Sequence, residues 1–166
     1  MQSMKGGRTI VKNKGREGIL TKDKLDPGSL VFTDQFESRL PGRVFTSKGS
    51  QVSSQKYKGG TLFCDAASSK ISIYMQSSFT VEETIQSKLK YEKECQAEGV
   101  AVSSYSSDNG VYAAKDYMSE LLEKGQGIRR SGVGGHHHNG KAENAIRTVT
   151  RLARSMMIHA ALRWPA

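Results

Sequence analysis

Apolar and polar positions along this chain separate a patternless basic start from a periodic remainder. Leu30-Val31-Phe32-Thr33-Asp34-Gln35-Phe36 is nearly continuous in apolar residues, the pattern of a strand buried within a sheet, and the turn Asp26-Pro27-Gly28 introduces it. Residues 41–60, rich in Gly, Ser and Lys, read as a long loop. Gly60 to Asp65 and Lys70 to Gln76 then read as two strands, and the short link Ala66 to Ser69 predicts an antiparallel hairpin. Ile71, Ile73 and Met75 alternate with polar residues, which predicts one buried face on the second of these strands.

The period then changes from two to that of a helix. Thr80 is placed to cap it, with Glu83 completing a capping box. Val81, Ile85 and Leu89, joined by Thr84 and Cys95, form its expected buried side, and Glu98-Gly99 its end. Val100 to Tyr105 reads as a strand that delivers Asp108 at its C-terminal end. Residues 113–124 read as a shorter helix, apolar at Tyr117, Met118, Leu121 and Leu122. Six of the seventeen glycines fall between 125 and 140, which predicts a loop with a moving part in a site, alongside a short strand. The last helix is expected over 141–160, with Ala142, Ala145, Ile146, Val149, Leu152, Ala153 and Met156 as its apolar stripe. Three strands, helix, strand, helix, short strand and helix make a mixed α/β pattern with an antiparallel start and a parallel crossover. There are no internal repeats.

Composition narrows the partners. The 166 residues suffice for one domain with a core, and a net charge of +9 with a pI near 9.6 favours a polyanion, nucleic acid first among them. No apolar run approaches the ~20 residues of a membrane-spanning helix, and the first thirty residues lack the apolar centre of a signal peptide. Residues 1–28 carry seven cations against three acids, a net +4, and read as a basic flexible arm ahead of a domain over 29–166. Cys64 and Cys95 stand 31 positions apart without a Cys-x-x-Cys, so they suggest small buried residues in a reducing compartment.

Three acids change this picture. Asp34 lies inside an apolar strand, where an unpaired charge costs several kcal/mol and so demands a partner such as a cation. Asp108, in Ser107-Asp108-Asn109-Gly110, stands where strand ends collect ligands in α/β sheets, although Asp-Asn-Gly by itself is an ordinary turn. Glu143 falls 35 positions later, in the first turn of the last helix if Asn139 caps it, where the helix dipole favours an ionised carboxylate. Lys141, Arg147, Arg151 and Arg154 share the exposed side of that helix, either a phosphate track or a solvated basic face. Three carboxylates from separate elements suit Mg2+ or Mn2+, hard ions that bind oxygen and activate phosphodiesters in pairs ~3.5–4 Å apart. His136-His137-His138 reads as loop residues near DNA or these acids rather than a zinc site, since three consecutive histidines cannot converge on one ion. Asp65, near Ser68 and Ser69, reads as a turn-former.

Thr33-Asp34, Tyr105-Ser106-Ser107-Asp108-Asn109-Gly110 and His136-His137-His138-Asn139-Gly140-Lys141-Ala142-Glu143 together resemble the catalytic core of a copia-type retrotransposon integrase, from about residue 28 onward. The resemblance implies a ribonuclease H-like fold, a mixed central sheet flanked by helices, with the family's C-terminal helices missing. It implies that Asp34, Asp108 and Glu143 bind two Mg2+ or Mn2+ ions, and that Asn139, Lys141, Arg147, Arg151, Arg154 and His137 touch DNA. The implied reaction joins element DNA to target DNA by attack of a 3′-hydroxyl on a phosphodiester, with water able to trim DNA ends at the same site. Implied partners are element ends, target DNA and further copies of the chain, acting in the nucleus or a cytoplasmic retroelement particle. Asn144 departs from the arginine that usually follows the family's glutamate, and His138 stands where glutamine is common. The family's His/Cys zinc module is not in this chain. A metal-independent nucleic-acid-binding remnant and a ribonuclease H-like nuclease are the competing expectations.

Overall fold

The computed structural model of the chain describes residues 25–44, 55–131 and 139–163. The basic arm up to residue 24, the three histidines and Trp164-Pro165-Ala166 lie outside the described residues.

The described strands are β1 (Val31–Arg43), β2 (Lys56–Asp65), β3 (Ile71–Gln76), β4 (Ser104–Ser107) and β5 (Gly127–Arg130). The helices are α1 (Val81–Ala97), α2 (Lys115–Glu123) and α3 (Gly140–Arg163). The strands form one five-stranded sheet in the order β3-β2-β1-β4-β5, antiparallel from β3 to β1 and parallel from β1 to β5. The expected antiparallel start and parallel continuation are therefore both present.

Because side chains alternate across a strand, β1 and β2 supply both faces of the sheet. Val31 and Phe63 point to one side, where they pack with Tyr91, Cys95, Tyr105, Tyr112, Tyr117 and Leu121. Leu62 and Cys64 point to the other, where they meet Ala145 of α3 with Phe32, Ile73, Ile146 and Val149. Asp34 pairs with Leu62 across the strands, so it shares the α3 face. The turn ahead of β1 is tied down by Gly28, whose N–H donates to Asp65 Oδ1 at 2.9 Å and whose φ of +82° suits only glycine. Asp65 also accepts from Ser68 N at 2.6 Å and Ser68 Oγ at 2.7 Å, and so forms the β2–β3 turn as expected.

Three expectations of packing hold only in part. On β3, Met75 is 46% exposed and Ile71 is exposed too, while Ser72 and Gln76 are buried. The buried side of this edge strand faces α1, where Gln76 Oε1 accepts from Thr61 Oγ1 at 2.8 Å and Tyr74 meets Phe63 edge-on. On α1 the fully buried positions are Thr84, Ser87, Lys88, Tyr91 and Cys95, with Val81 and Ile85 only partly covered. On α3 the stripe is covered only through Val149, and Leu152 and Met156 are 58% and 72% exposed. A helix of 24 residues spans ~36 Å and outruns the two strands it crosses. The strand expected over 100–105 begins later, at Ser104, and the loop expected over 41–60 is taken up at both ends by extensions of β1 and β2.

Candidate active site

The parallel pairing of β1 and β4 sets Val31 beside Tyr105 and Phe32 beside Ser106. Two residues further along each chain segment stand Asp34, inside β1, and Asp108, just past β4, so the pairing of the two strands sets both acids side by side. Asp108 follows the last residue of β4, and the turn beyond it is held by Asn109 Nδ2, which donates to Ser131 O at 2.9 Å. Glu143 comes from the first turn of α3, exposed to solvent.

Asp34 carries the electrostatic record of this convergence. Burial raises its carboxyl, the Gln35 N–H at 2.8 Å partly offsets that, and the charges of Asp108 and Glu143 raise it again, to about 6. An acid surrounded by like charge and poor solvation is what a divalent cation relieves. The donor set, three carboxylates from β1, the end of β4 and α3, fits a hard oxygen-seeking ion. The fit is one of chemistry and neighbourhood rather than of finished coordination. Among the described residues no group of three His, Cys, Asp or Glu side chains is drawn together closely enough to hold an ion.

The expected DNA contacts divide. Arg147, Arg151 and Arg154 are exposed along α3. Lys141 is exposed as well, and its ammonium donates to Ala66 O at 2.7 Å and sits 5.5 Å from the centre of the Phe32 ring. Asn139 is only 4% exposed, and its Nδ2 donates to Thr33 O at 3.1 Å. Its Oδ1, the atom that would accept in a helix cap, has no hydrogen-bond partner among the described residues, so the expected cap is not formed. His137 lies outside the described residues.

Two groups near the acids escaped the sequence reading. Tyr112 is buried with its hydroxyl 3.2 Å from Thr33 Oγ1; burial drives its phenol well above the usual range, and the charges of Asp34 and Asp108 push the same way. Nothing in the spacing of Tyr112 foretold this. Arg129 and Arg130 are exposed on β5, with Arg130 paired to Ser107, the neighbour of Asp108. Consecutive arginines in the glycine-rich stretch were the available signal.

No protein-family model and no curated protein matches the sequence. Among solved structures, the chain is similar to the integrase catalytic core domain of HTLV-2 in complex with magnesium. The dimeric form gives a TM-score of 0.57 at 14% identity over 80% of this chain and 74% of that one. The trimeric form gives 0.57 at 14% identity, over 84% and 77%. A simian T-cell lymphotropic virus intasome in complex with PP2A regulatory subunit B56 gamma gives 0.64 at 16% identity, covering 84% of this chain and 44% of that one. The fold is thus that of integrase catalytic cores, a ribonuclease H-like mixed sheet with flanking helices.

Proposed function

We propose that the chain is an integrase-type polynucleotidyl transferase core, with Asp34, Asp108 and Glu143 as its metal-binding carboxylates. The observation that carries this function is the placement of the acids: the β1–β4 pairing sets Asp34 beside Asp108, and Glu143 stands in the first turn of α3, the helix packed on the sheet face that Asp34 shares. The raised Asp34 carboxyl, at about 6 through burial and the charges of Asp108 and Glu143, agrees with it. Similarity to cores whose structures include magnesium supports a divalent cofactor, Mg2+ or Mn2+, and the resemblance to the copia type supports a pair of ions. Bound there, such ions would activate the attacking oxygen and stabilise the leaving one.

The chain's own residues supply the rest. Asp34, within β1, and Asp108, just past the end of β4, lie level with each other two residues beyond the last parallel pair of these strands. Glu143 stands in the first turn of α3, at the end of the helix whose dipole favours negative charge. Arg147, Arg151 and Arg154 line the exposed side of the same helix and would neutralise DNA phosphates. The motif spelling around Asp108 and Glu143 supports a copia-type retrotransposon origin, with element ends and target DNA as partners, further copies of the chain as assembly partners, and the nucleus or a cytoplasmic retroelement particle as the place of action.

A joining assay on labelled duplex tests this. Asp108→Asn is expected to abolish metal-dependent strand transfer while leaving DNA binding nearly intact; undiminished joining by that variant would defeat the assignment. The lack of a gathered three-donor group among the described residues favours one competitor, metal-independent nucleic-acid binding through the basic face of α3. In that case wild type binds duplex equally with and without Mn2+ and neither nicks nor joins it. Product analysis separates joining from hydrolysis by a nuclease of the same fold.

A further inference from the structure

Asn139 stands one helical turn ahead of Glu143, and its amide reaches across 106 positions of sequence to the carbonyl of Thr33, the residue before Asp34. The donor is Nδ2, the distance 3.1 Å, and the bond is buried. One side chain thus joins the backbone that carries the first acid to the helix turn that carries the third. Oδ1 of the same amide is buried with no hydrogen-bond partner among the described residues. An orphaned buried oxygen is a cost that an apolar side chain of similar shape would avoid, and such exceptions in folded proteins call for a reason. The reason at hand is the other end of the amide. Lys141 adds a second tie two residues on, through Ala66 O. Ala142 and Ala145 on either side of Glu143 are buried, Ala145 against Leu62 and Cys64 of the sheet.

We propose that Asn139 is a positioning residue, which through the carbonyl of Thr33 sets the separation between Asp34 and Glu143. The inference rests on the proposed carboxylate site and deepens it. Two like charges must be held at a spacing that a cation can bridge, and they oppose that spacing until it arrives. A bond from β1 to the first turn of α3 counters the repulsion without contributing a ligand. It also removes Asn139 from the DNA-facing surface, because its amide nitrogen is used inside the protein.

The test uses the full chain with Asn139→Leu, which keeps the bulk and loses the donor, and Asn139→Ala. Mn2+ binding is followed by the electron paramagnetic resonance of free Mn2+, and strand transfer by kcat and KM for duplex. The expected result is Mn2+ binding weakened about tenfold. A kcat lowered roughly 10- to 100-fold should accompany it, with KM for DNA within about twofold of wild type. Unchanged Mn2+ affinity and kcat with a raised KM would make Asn139 a DNA contact and overturn the proposal. Loss of folding by both variants, read in thermal melts, would make it a structural staple and overturn it equally. Asp108→Asn runs in the same titration: if wild type binds no Mn2+ that this variant loses, the carboxylate site itself fails, whatever Asn139 does.

Discussion

At the scale of single residues, Asp34 determines how the metal-free protein responds to pH. Its carboxyl is raised from 3.8 to about 6, so the folded state holds the proton more tightly than the unfolded chain. The ionised group therefore costs stability above about pH 6, and that cost disappears as pH falls to about 4. Asp34→Asn should stabilise the metal-free fold at pH 7.5 by about 1–2 kcal/mol, a figure reduced for the solvent that still reaches the group. Chemical denaturation of both proteins at pH 7.5 and pH 4.5 checks this, with the gap expected to close at the lower pH. Addition of Mn2+ should stabilise wild type and not the variant. Asp34 stood out in the sequence because an unpaired charge inside an apolar strand demands a partner. Asn139 was visible as a motif member but not as a tie to Thr33, since no local pattern encodes a partner 106 residues away.

At the scale of elements, α1 shows where periodicity misleads. Lys88 is fully buried, yet its ammonium lies 2.8 Å from Glu92 and 3.1 Å from Glu120 on α2, with the Tyr105 ring 5.7 Å away. Lys124 closes the network at 2.6 Å from Glu92 and 3.1 Å from Glu120. A polarity pattern assigns such a lysine to solvent, because the acids that make its burial tolerable lie partly on another helix. Lys88→Ala should cost about 2–4 kcal/mol in denaturant melts, somewhat under the full penalty for breaking a buried pair because Lys124 still faces both acids. Burial alone would raise the Glu92 carboxyl, but hydrogen bonds from Lys124, Lys88, Tyr105 and Gln126 outweigh it and hold the group at about 2. Its contribution is present above about pH 4.5 and lost as pH falls towards 2, so Glu92→Gln should flatten the acid limb of the stability profile. In β2, a Cβ on Gly59 would lie 2.0 Å from Phe36 O. Gly59→Ala should therefore disrupt the β1–β2 pairing and destabilise by about 1–3 kcal/mol or more, measurable by thermal unfolding.

At the scale of the molecule, the order of strands and helices was legible because each element keeps its own period and turn chemistry. What is covered was less so. The stripe of α3 continues in sequence to Met156, but coverage depends on how far the sheet extends beneath it, which no helix pattern contains. Charge follows the same logic. The surplus of +9 is distributed, and on α3 it forms a file of exposed arginines. Replacing Arg147, Arg151 and Arg154 together by alanine should lower the slope of log affinity for duplex DNA against log salt by about 3, measured by fluorescence anisotropy. Such a loss would leave the chemistry of the acids intact. The acids themselves are tested most directly by anomalous diffraction from crystals of the chain grown with Mn2+. Manganese peaks ligated by carboxylate oxygens of Asp34 and Asp108, with Glu143 on the same cluster, are the expected result. Manganese bound at saturating concentration only elsewhere, with these three side chains unligated, would contradict it.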